Sequence, residues 1–560
     1  MDCAASIGRT VGQALVDQLV IQGVRHVFCV PGESYLSVLD ALRDSPITVT
    51  VCRHEGGAAM MADAVGRATG TPGVAMVTRG PGASNAMVGV HIAHEDSSPM
   101  ILFVGQVDEG FRDRGAWQEM DLRASFGGVS KWVGELDDPG RVGEVMARAF
   151  STAMSGRPGP VVVGLPRNVL AQADRSTDGH PVRPVEAGPD AAALAELQAM
   201  LAESRRPIVI VGGSRWDEAS RAALHRFAER FALPVATSYR RGHLFDAWHP
   251  NYAGDLGLGA SPKLVARVKA ADLVLLVGGR MGQVPAQGYT LLDIPAPQTR
   301  LVHIHSDPDE LGQLYQPTLA IPASPRRAAP ALAALAPPAQ IGWAGQAATA
   351  HADYLAWSQV ATPQPGEVNL GEVMVWLREN LQPDAILCNG AGGYAAWLHR
   401  FYRFRELNSH IAPASATMGY GPPAAIAMKR LYPDRQVVSL SGDGDFLMNG
   451  QEFATQVQYG LPIVNLVVDN ASYGSIRLFQ EREFPGRVVA TDLKNPDFAA
   501  YARAFGGFGA TVERTADFAE AFRAAEASGW PAIVHIKVDV ECMSPGATLS
   551  EVREKALAAR

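Results

Sequence analysis

Cysteine is scarce, with only Cys3, Cys29, Cys52, Cys388 and Cys542 in 560 residues. None of them has the spacing of a disulfide framework or a metal knuckle, so the thiols read as reduced and structural, and a cytoplasmic location is expected. No apolar run approaches about 18 residues, which excludes a membrane-spanning helix, and no membrane partner is expected. The first residues lack a basic stretch followed by an apolar one, so no secretory leader is expected. Long basic runs are missing and the net charge is −8, which argues against nucleic acid as a partner. Charged residues make up 19% of the chain against 47% hydrophobic, the balance of a globular protein with large cores. A chain of this length is expected to form two to four domains.

What the sequence does have is strand–helix alternation, and it is most informative over residues 436–480. Residues 437–440 are a short, branched apolar run closed by Ser441-Gly442, the pattern of a buried parallel strand. Phe453 and Val457 recur at helical spacing until Gly460-Leu461-Pro462 stops the helix, and 463–468 is the next apolar run. In such a unit Asp443 and Asn470 stand just beyond the carboxyl ends of two parallel strands, where open α/β sheets bind ligands. One carboxylate and one amide oxygen are hard ligands of low total charge. They suit Mg²⁺, which leaves room for phosphate oxygens and water. Gly442 and Gly444 allow close backbone approach to a phosphate. Gly-Asp-Gly alone is as readily an ordinary turn; the strand before it and Asp469-Asn470 after the next strand point to a metal–diphosphate site.

Gly442-Asp443-Gly444, followed 27 positions after the Asp by Asn470, resembles the thiamine-diphosphate motif of the acetolactate synthase/pyruvate decarboxylase family. The resemblance spans about residues 5–545 and implies an α/β fold of three doubly wound parallel-sheet domains. These would be a pyrimidine-binding domain over 1–178, a central Rossmann-like domain over 187–335 and a diphosphate-binding domain over 364–548. It implies that Asp443, Asn470 and the main-chain carbonyl of Ser472 bind the metal, Mg²⁺. The family usually has Asn where Asp469 stands, a position that is not a ligand.

In the first third, residues 7–22 read as a helix ended by Gly23, 26–30 as a strand, 35–42 as a helix and 47–51 as a strand. The segment from Arg53 to Gly70 then resembles the family stretch whose glutamate hydrogen-bonds the cofactor's aminopyrimidine ring; Glu55 matches it. A carboxylate in a first helical turn is otherwise explained by the helix dipole. After a strand at 74–78, Gly80-Pro81-Gly82-Ala83-Ser84-Asn85 resembles the family's turn at the active-site rim, where Asn85 is expected to contribute. Arg79 is a departure, since related synthases carry a small residue there. Its guanidinium is read equally as a partner for a substrate carboxylate and as a surface or interface arginine. His91 and His94 share one side of the next helix and read as a solvated or subunit-contact face, since no third ligand is placed. Trp117, Gln118 and Lys131 match channel-lining residues of acetolactate synthases. Residues 161–165 form the strand that closes the domain in that family.

Residues 171–190, 321–340 and 361–366 read as linkers, the last two with a helix between them. Strands at 207–211, 272–277 and 301–305 make the middle third another doubly wound unit. Acetolactate synthases bind FAD here. This chain departs from their pattern at Gly254-Asp255-Leu256-Gly257-Leu258-Gly259-Ala260 and at Met281-Gly282-Gln283, so FAD is doubtful, and a nucleotide such as CoA or ADP stays open without support from the residues. The preferred reading is a domain that mostly builds the oligomer.

In the last third, 385–388 is a strand after which residues 389–393 are expected to open a helix, an anion-binding arrangement. Family members contact the diphosphate at the matching Gly390, Ala391 and Gly392. Ala416 matches the carbonyl that holds the aminopyrimidine amino group, and Met418 the residue that bends the cofactor; without the neighbouring motif Met418 reads as core filling. Tyr473, Gly474, Ser475 and Ile476 are expected at the cofactor and substrate wall. Phe479 stands where acetolactate synthases often have Trp, which leaves pyruvate open as substrate.

The resemblance implies a thiamine diphosphate- and Mg²⁺-dependent carboligating decarboxylase of a small 2-oxo acid, with Glu55, Gln118 and Arg79 as its catalytic side chains. A non-ligating decarboxylase and a 2-hydroxyacyl-CoA lyase stay open beside it, as does a non-catalytic homologue. Family members build the active site between subunits, so a homodimer or homotetramer is expected.

Overall fold

The computed structural model describes residues 8–560; Cys3 and the expected helix start at Ile7 lie outside them. The chain divides into two compact units. One holds the chain up to Val185 together with 426–433 and 449–459; the other holds 186–425, 434–448 and 460–560.

The first unit is built on a six-stranded sheet of β1 (His26–Cys29), β2 (Thr48–Val51), β3 (Gly73–Val77), β4 (Met100–Gln106), β5 (Trp132–Glu135) and β6 (Pro160–Pro166). Its order is β2-β1-β3-β4-β6-β5 and every pairing is parallel. The strands β3, β4 and β6 are buried throughout, as a sheet covered on both faces requires. The helix Val11–Ile21 starts at a capping box between Thr10 and Gln13.

The helix Glu55–Thr69 packs on the helix Gly80–Asp96, and Arg67 is shared between Asp63 on its own helix and Asp96 on the other. Close approach depends on glycine. A Cβ on Gly66 would stand 1.9 Å from the backbone oxygen of Pro99. Because that neighbour is backbone rather than a flexible side chain, Gly66→Ala is expected to destabilise the unit by about 2–3 kcal/mol. Urea unfolding checks this, and a midpoint equal to wild type would contradict it.

The second unit carries two sheets. The first is β7 (Pro207–Val211), β8 (Val235–Ser238), β9 (Tyr252–Leu256), β10 (Leu273–Val277), β11 (Arg300–His305) and β12 (Leu319–Pro322), in the order β12-β11-β10-β7-β8-β9. The second is β13 (Ile386–Asn389), β14 (His410–Ile411), β15 (Val437–Gly442), β16 (Val464–Asp469), β17 (Phe508–Val512) and β18 (Ala532–Lys537), in the order β14-β13-β15-β16-β18-β17. All pairings are again parallel. Val438, Leu440, Leu466 and Val467 are fully buried, each contributing about 1.5–3 kcal/mol by leaving water.

Two sequence expectations need correction here. Residues 321–340 are not a linker: 319–322 is β12, and Pro325–Ala334 is a helix. Proline sits where a helix tolerates it, at the first position after the cap Ser324, whose side chain accepts from Arg327 N–H. Burial of Ala328, Ala329 and Leu332 offsets the cost of Pro330 inside the helix. Residues 389–393 do not open a helix either. The chain makes a turn there, and the helix starts only at Ala395. Residues 171–190 are irregular as expected, apart from a single bridge between Ala173 and Thr10. Among the described residues no helix is long and apolar enough to cross a membrane.

Candidate active site

The loops leaving the carboxyl ends of β13, β15, β16 and β18 surround a cavity of about 300 Å³. Of the residues expected there, Ala391, Gly392, Ala416, Met418, Gly442, Asp443, Gly444, Asn470, Ser472, Tyr473, Gly474, Ser475 and Ile476 all line it. Gly390 does not, yet its lack of a side chain matters. A Cβ there would stand 2.2 Å from Asp445 Oδ1.

Asp443 opens the short helix that follows β15 and is almost wholly buried. Its Oδ1 accepts from Gly444 N–H at 2.8 Å and its Oδ2 from Asn495 Nδ2 at 2.7 Å. Asn495 Nδ2 also donates to Asp469 Oδ1 at 2.8 Å, so one amide bridges two carboxylates. Burial, with Asp469 beside it, pushes the Asp443 carboxyl up to about 6. Burial acts the same way on Asp469. There the hydrogen bond with His535 at 2.8 Å and the Ala471 N–H outweigh it and hold the group down at about 2. Of these two adjacent carboxyls, His535 and the Ala471 N–H favour the charge on Asp469, the residue that departs from the family pattern.

Asn470 Oδ1 accepts from Ser472 N–H at 3.2 Å, and the Ser472 carbonyl accepts from Gly474 N–H at 2.7 Å. Asp443, Asn470 and Ser472 therefore all line one cavity, and their carboxylate, amide and carbonyl make up a hard oxygen set that fits a divalent cation such as Mg²⁺. The glycines keep it open. A Cβ on Gly444 would meet the Tyr473 ring at 2.5 Å, and one on Gly474 would meet Asn470 Nδ2 at 2.9 Å. Ala416 has φ +54°, which turns the chain into the cavity wall.

Several cavity residues carried no signal in the sequence. Asp445 accepts from Tyr394 OH at 2.6 Å and from Gly419 N–H at 2.5 Å, and burial pushes its carboxyl up to about 6. Arg240, from the loop after β8, is 1% exposed and donates to the carbonyls of Gly390 and Pro413 at 2.7 and 2.6 Å. Cys542 and Met543 reach the wall from the segment after β18.

That segment is anchored by the C-terminal helix Leu549–Ala558. Arg553 grips the buried Glu481 through two guanidinium nitrogens, Nη2 at 2.6 Å and Nε at 2.8 Å. This pair, joined by Gly486 N–H, holds the Glu481 carboxyl low, at about 2. A depressed acid stabilises the fold fully above its unfolded value of about 4.5, and the contribution is lost as pH falls toward 2. Arg553 is one-third exposed, so Arg553→Ala is expected to cost about 1–2 kcal/mol after screening. Limited proteolysis within 538–548 should then be several-fold faster; unchanged cleavage would contradict the anchoring role.

In the first unit, Glu55 opens its helix half-buried, and its Oε2 accepts from Asn85 Nδ2 at 2.9 Å. The loop before it is pinned by Glu452, which is fully buried. Its Oε1 accepts from the N–H groups of Arg53 and His54 at 2.9 and 3.0 Å. A lone Glu in a polar stretch carried no sequence signal for that task. Arg79 is 7% exposed, stands 3.5 Å from Glu33 and lies over the Trp117 ring, 5.5 Å from its centre. Gln118 has φ +63°, and its carbonyl accepts from Gly80 N–H at 2.9 Å. The Lys131 ammonium donates to the Ser155 carbonyl. His91 is exposed and His94 half-buried.

Comparison with known families matches residues 9–125 to the thiamine pyrophosphate enzyme N-terminal TPP binding domain, 194–333 to its central domain and 390–536 to its C-terminal TPP binding domain. The acetolactate synthase large subunit of Parasynechococcus marenigrum (strain WH8102) is 32% identical over 516 residues, 89% of this chain and 82% of that one. The acetolactate synthase isozyme 2 large subunit of Escherichia coli (strain K12) is 31% identical over 552 residues, 97% of this chain and 99% of that one. The acetolactate synthase of Bacillus subtilis (strain 168) is 29% identical over 543 residues, covering 94% and 93%.

Proposed function

The chain belongs to the thiamine pyrophosphate-dependent, acetolactate synthase-like enzymes, and from that premise we propose that it decarboxylates a 2-oxo acid and joins the remaining acyl unit to a second carbonyl compound. The observation that carries this reading is that Asp443, Asn470 and Ser472 line one cavity at the carboxyl ends of parallel strands. When bound, thiamine diphosphate supplies the nucleophilic carbon and the electron sink for loss of CO₂.

The protein's part is binding, shape and proton placement. Asp443, Asn470 and Ser472 would take Mg²⁺, and through it the diphosphate, with Ala391, Gly392 and residues 473–476 close around it. Asp469, ionised behind Asp443, strengthens the pull on the cation. The Ala416 carbonyl would accept from the aminopyrimidine amino group, and Met418 would fill the space that forces the ring system to bend. Glu55 would exchange a proton with the pyrimidine ring at Oε1, leaving Oε2 to Asn85. Arg79 and Gln118 would meet the substrate.

We assign the first domain to 1–178, the central one to 187–335 and the last to 364–548, and we draw on no flavin in the central one. The assembly proposed is a homodimer or homotetramer in which the Glu55 region of one subunit serves the cavity of another. Product analysis with pyruvate, thiamine diphosphate and Mg²⁺ tests the chemistry. A two-substrate condensation product is expected; free aldehyde alone would replace this reading with a simple decarboxylase.

A further inference from the structure

The first unit has a second recess, of about 370 Å³, that the chemistry above does not use in full. Arg79, Asp108, Phe111, Arg114, Trp117 and Arg167 line it. Arg79 is only 7% exposed, and its Nε has no hydrogen-bond partner. Its Nη1 reaches the Trp117 carbonyl only at 3.4 Å. Arg114 and Arg167 are exposed and have no carboxylate partner among the described residues. Arg112, two positions from Arg114, shows the contrast, since it is bonded to Glu135 at 2.6 Å.

Two carboxylates face these three guanidinium groups. Glu33 stands against Arg79, and Asp108 lies in the wall with Oδ1 buried and unpaired. The recess is therefore net positive, and concave walls concentrate such a field. Guanidinium groups with open N–H donors match carboxylate and phosphate oxygens. Trp117 and Phe111, 68% and 57% exposed, give an apolar flank suited to a short methylene chain.

We propose that this recess binds an anionic group at the far end of the substrate, a carboxylate or phosphate separated from the 2-oxo acid head by a short chain, so that the preferred substrate carries two acidic groups. The proposal rests on the decarboxylase reading above and names its substrate class.

The test compares kcat/KM for 2-oxoglutarate and 2-oxopentanoate, which differ only by a terminal carboxylate in place of a methyl group. A 2-oxo acid with a terminal phosphonate is the third arm and separates phosphate from carboxylate recognition. The diacid or the phosphonate is expected to be favoured over the monoacid by at least about ten-fold, and Arg114→Ala and Arg167→Ala to erase about ten-fold of that preference. A structural defect would lower both rates together and leave the ratio alone. Glutarate titration read by tryptophan emission supplies a readout without turnover. A saturable change is expected that is lost in Trp117→Phe, although eight other tryptophans remain of the nine. Turnover of 2-oxopentanoate with no preference for either anionic tail overturns the recess and spares the decarboxylase reading. Glutarate binding without turnover of any 2-oxo acid does the reverse.

Discussion

Replacing Asp443 with Ala is expected to lower turnover by at least about a thousand-fold and to abolish Mg²⁺-dependent retention of thiamine diphosphate, with the fold kept. The carboxylate is the only ionised group among the three oxygen donors proposed for the cation, so its loss leaves two neutral oxygens. Asp469 does not replace it, because it is not among the residues lining the cavity and is held by Asn495, His535 and the Ala471 N–H. The fold survives because burial works against the Asp443 charge and raises its pKa; removing that charge relieves the protein rather than breaking a support. Desalting after incubation with Mg²⁺ and cofactor, with circular dichroism as control, reads the effect. Cofactor retained at wild-type level would remove Asp443 from the metal site.

Glu55→Gln is expected to cut kcat by about 10²–10⁴-fold while leaving cofactor retention nearly unchanged. The amide keeps the length of the side chain and an oxygen for the hydrogen bond from Asn85 Nδ2, now at 2.9 Å. What it loses is the exchangeable carboxyl proton. The expected signature is therefore a fall in kcat with intact binding, opposite to that of Asp443→Ala. Near-normal turnover would show that Glu55 merely favours the helix dipole at the start of its helix.

Both residues were legible in the sequence because their signals are local. Asp443 and Asn470 follow apolar runs that end abruptly, and the expected strand–helix–strand unit is present as β15, the helix Phe453–Gln458 and β16. Of the strands expected in the last third, 385–388 and 463–468 are each shifted by one residue and 437–440 runs two residues further to Gly442, since apolar runs leave little choice of element, while β14, β17 and β18 went unread. In the middle third β8, β9 and β12 went unread. Val235–Ser238 and Tyr252–Leu256 mix polar and small residues into their runs, and only pairing in the sheet makes them strands. The helix Pro325–Ala334 was hidden by its prolines, whose usual meaning is overridden by a capped start and a buried face.

The side chains that support the sites were hidden for a different reason. Asp445, Arg240 and Glu452 act mainly through distant partners, up to 399 positions away in the chain, as with Gly419 for Asp445 and Arg53 for Glu452. No spacing rule encodes such pairs. Arg79 was visible as an oddity at the rim, but its neighbours Arg114 and Arg167 became meaningful only when folding placed all three around one recess.

Isothermal titration of the purified protein with thiamine diphosphate, with and without Mg²⁺, tests the central assignment most directly. Saturable binding with one cofactor per chain, dependent on the divalent cation, is the predicted result. Absence of binding in the presence of Mg²⁺, or binding that ignores the cation, would contradict it.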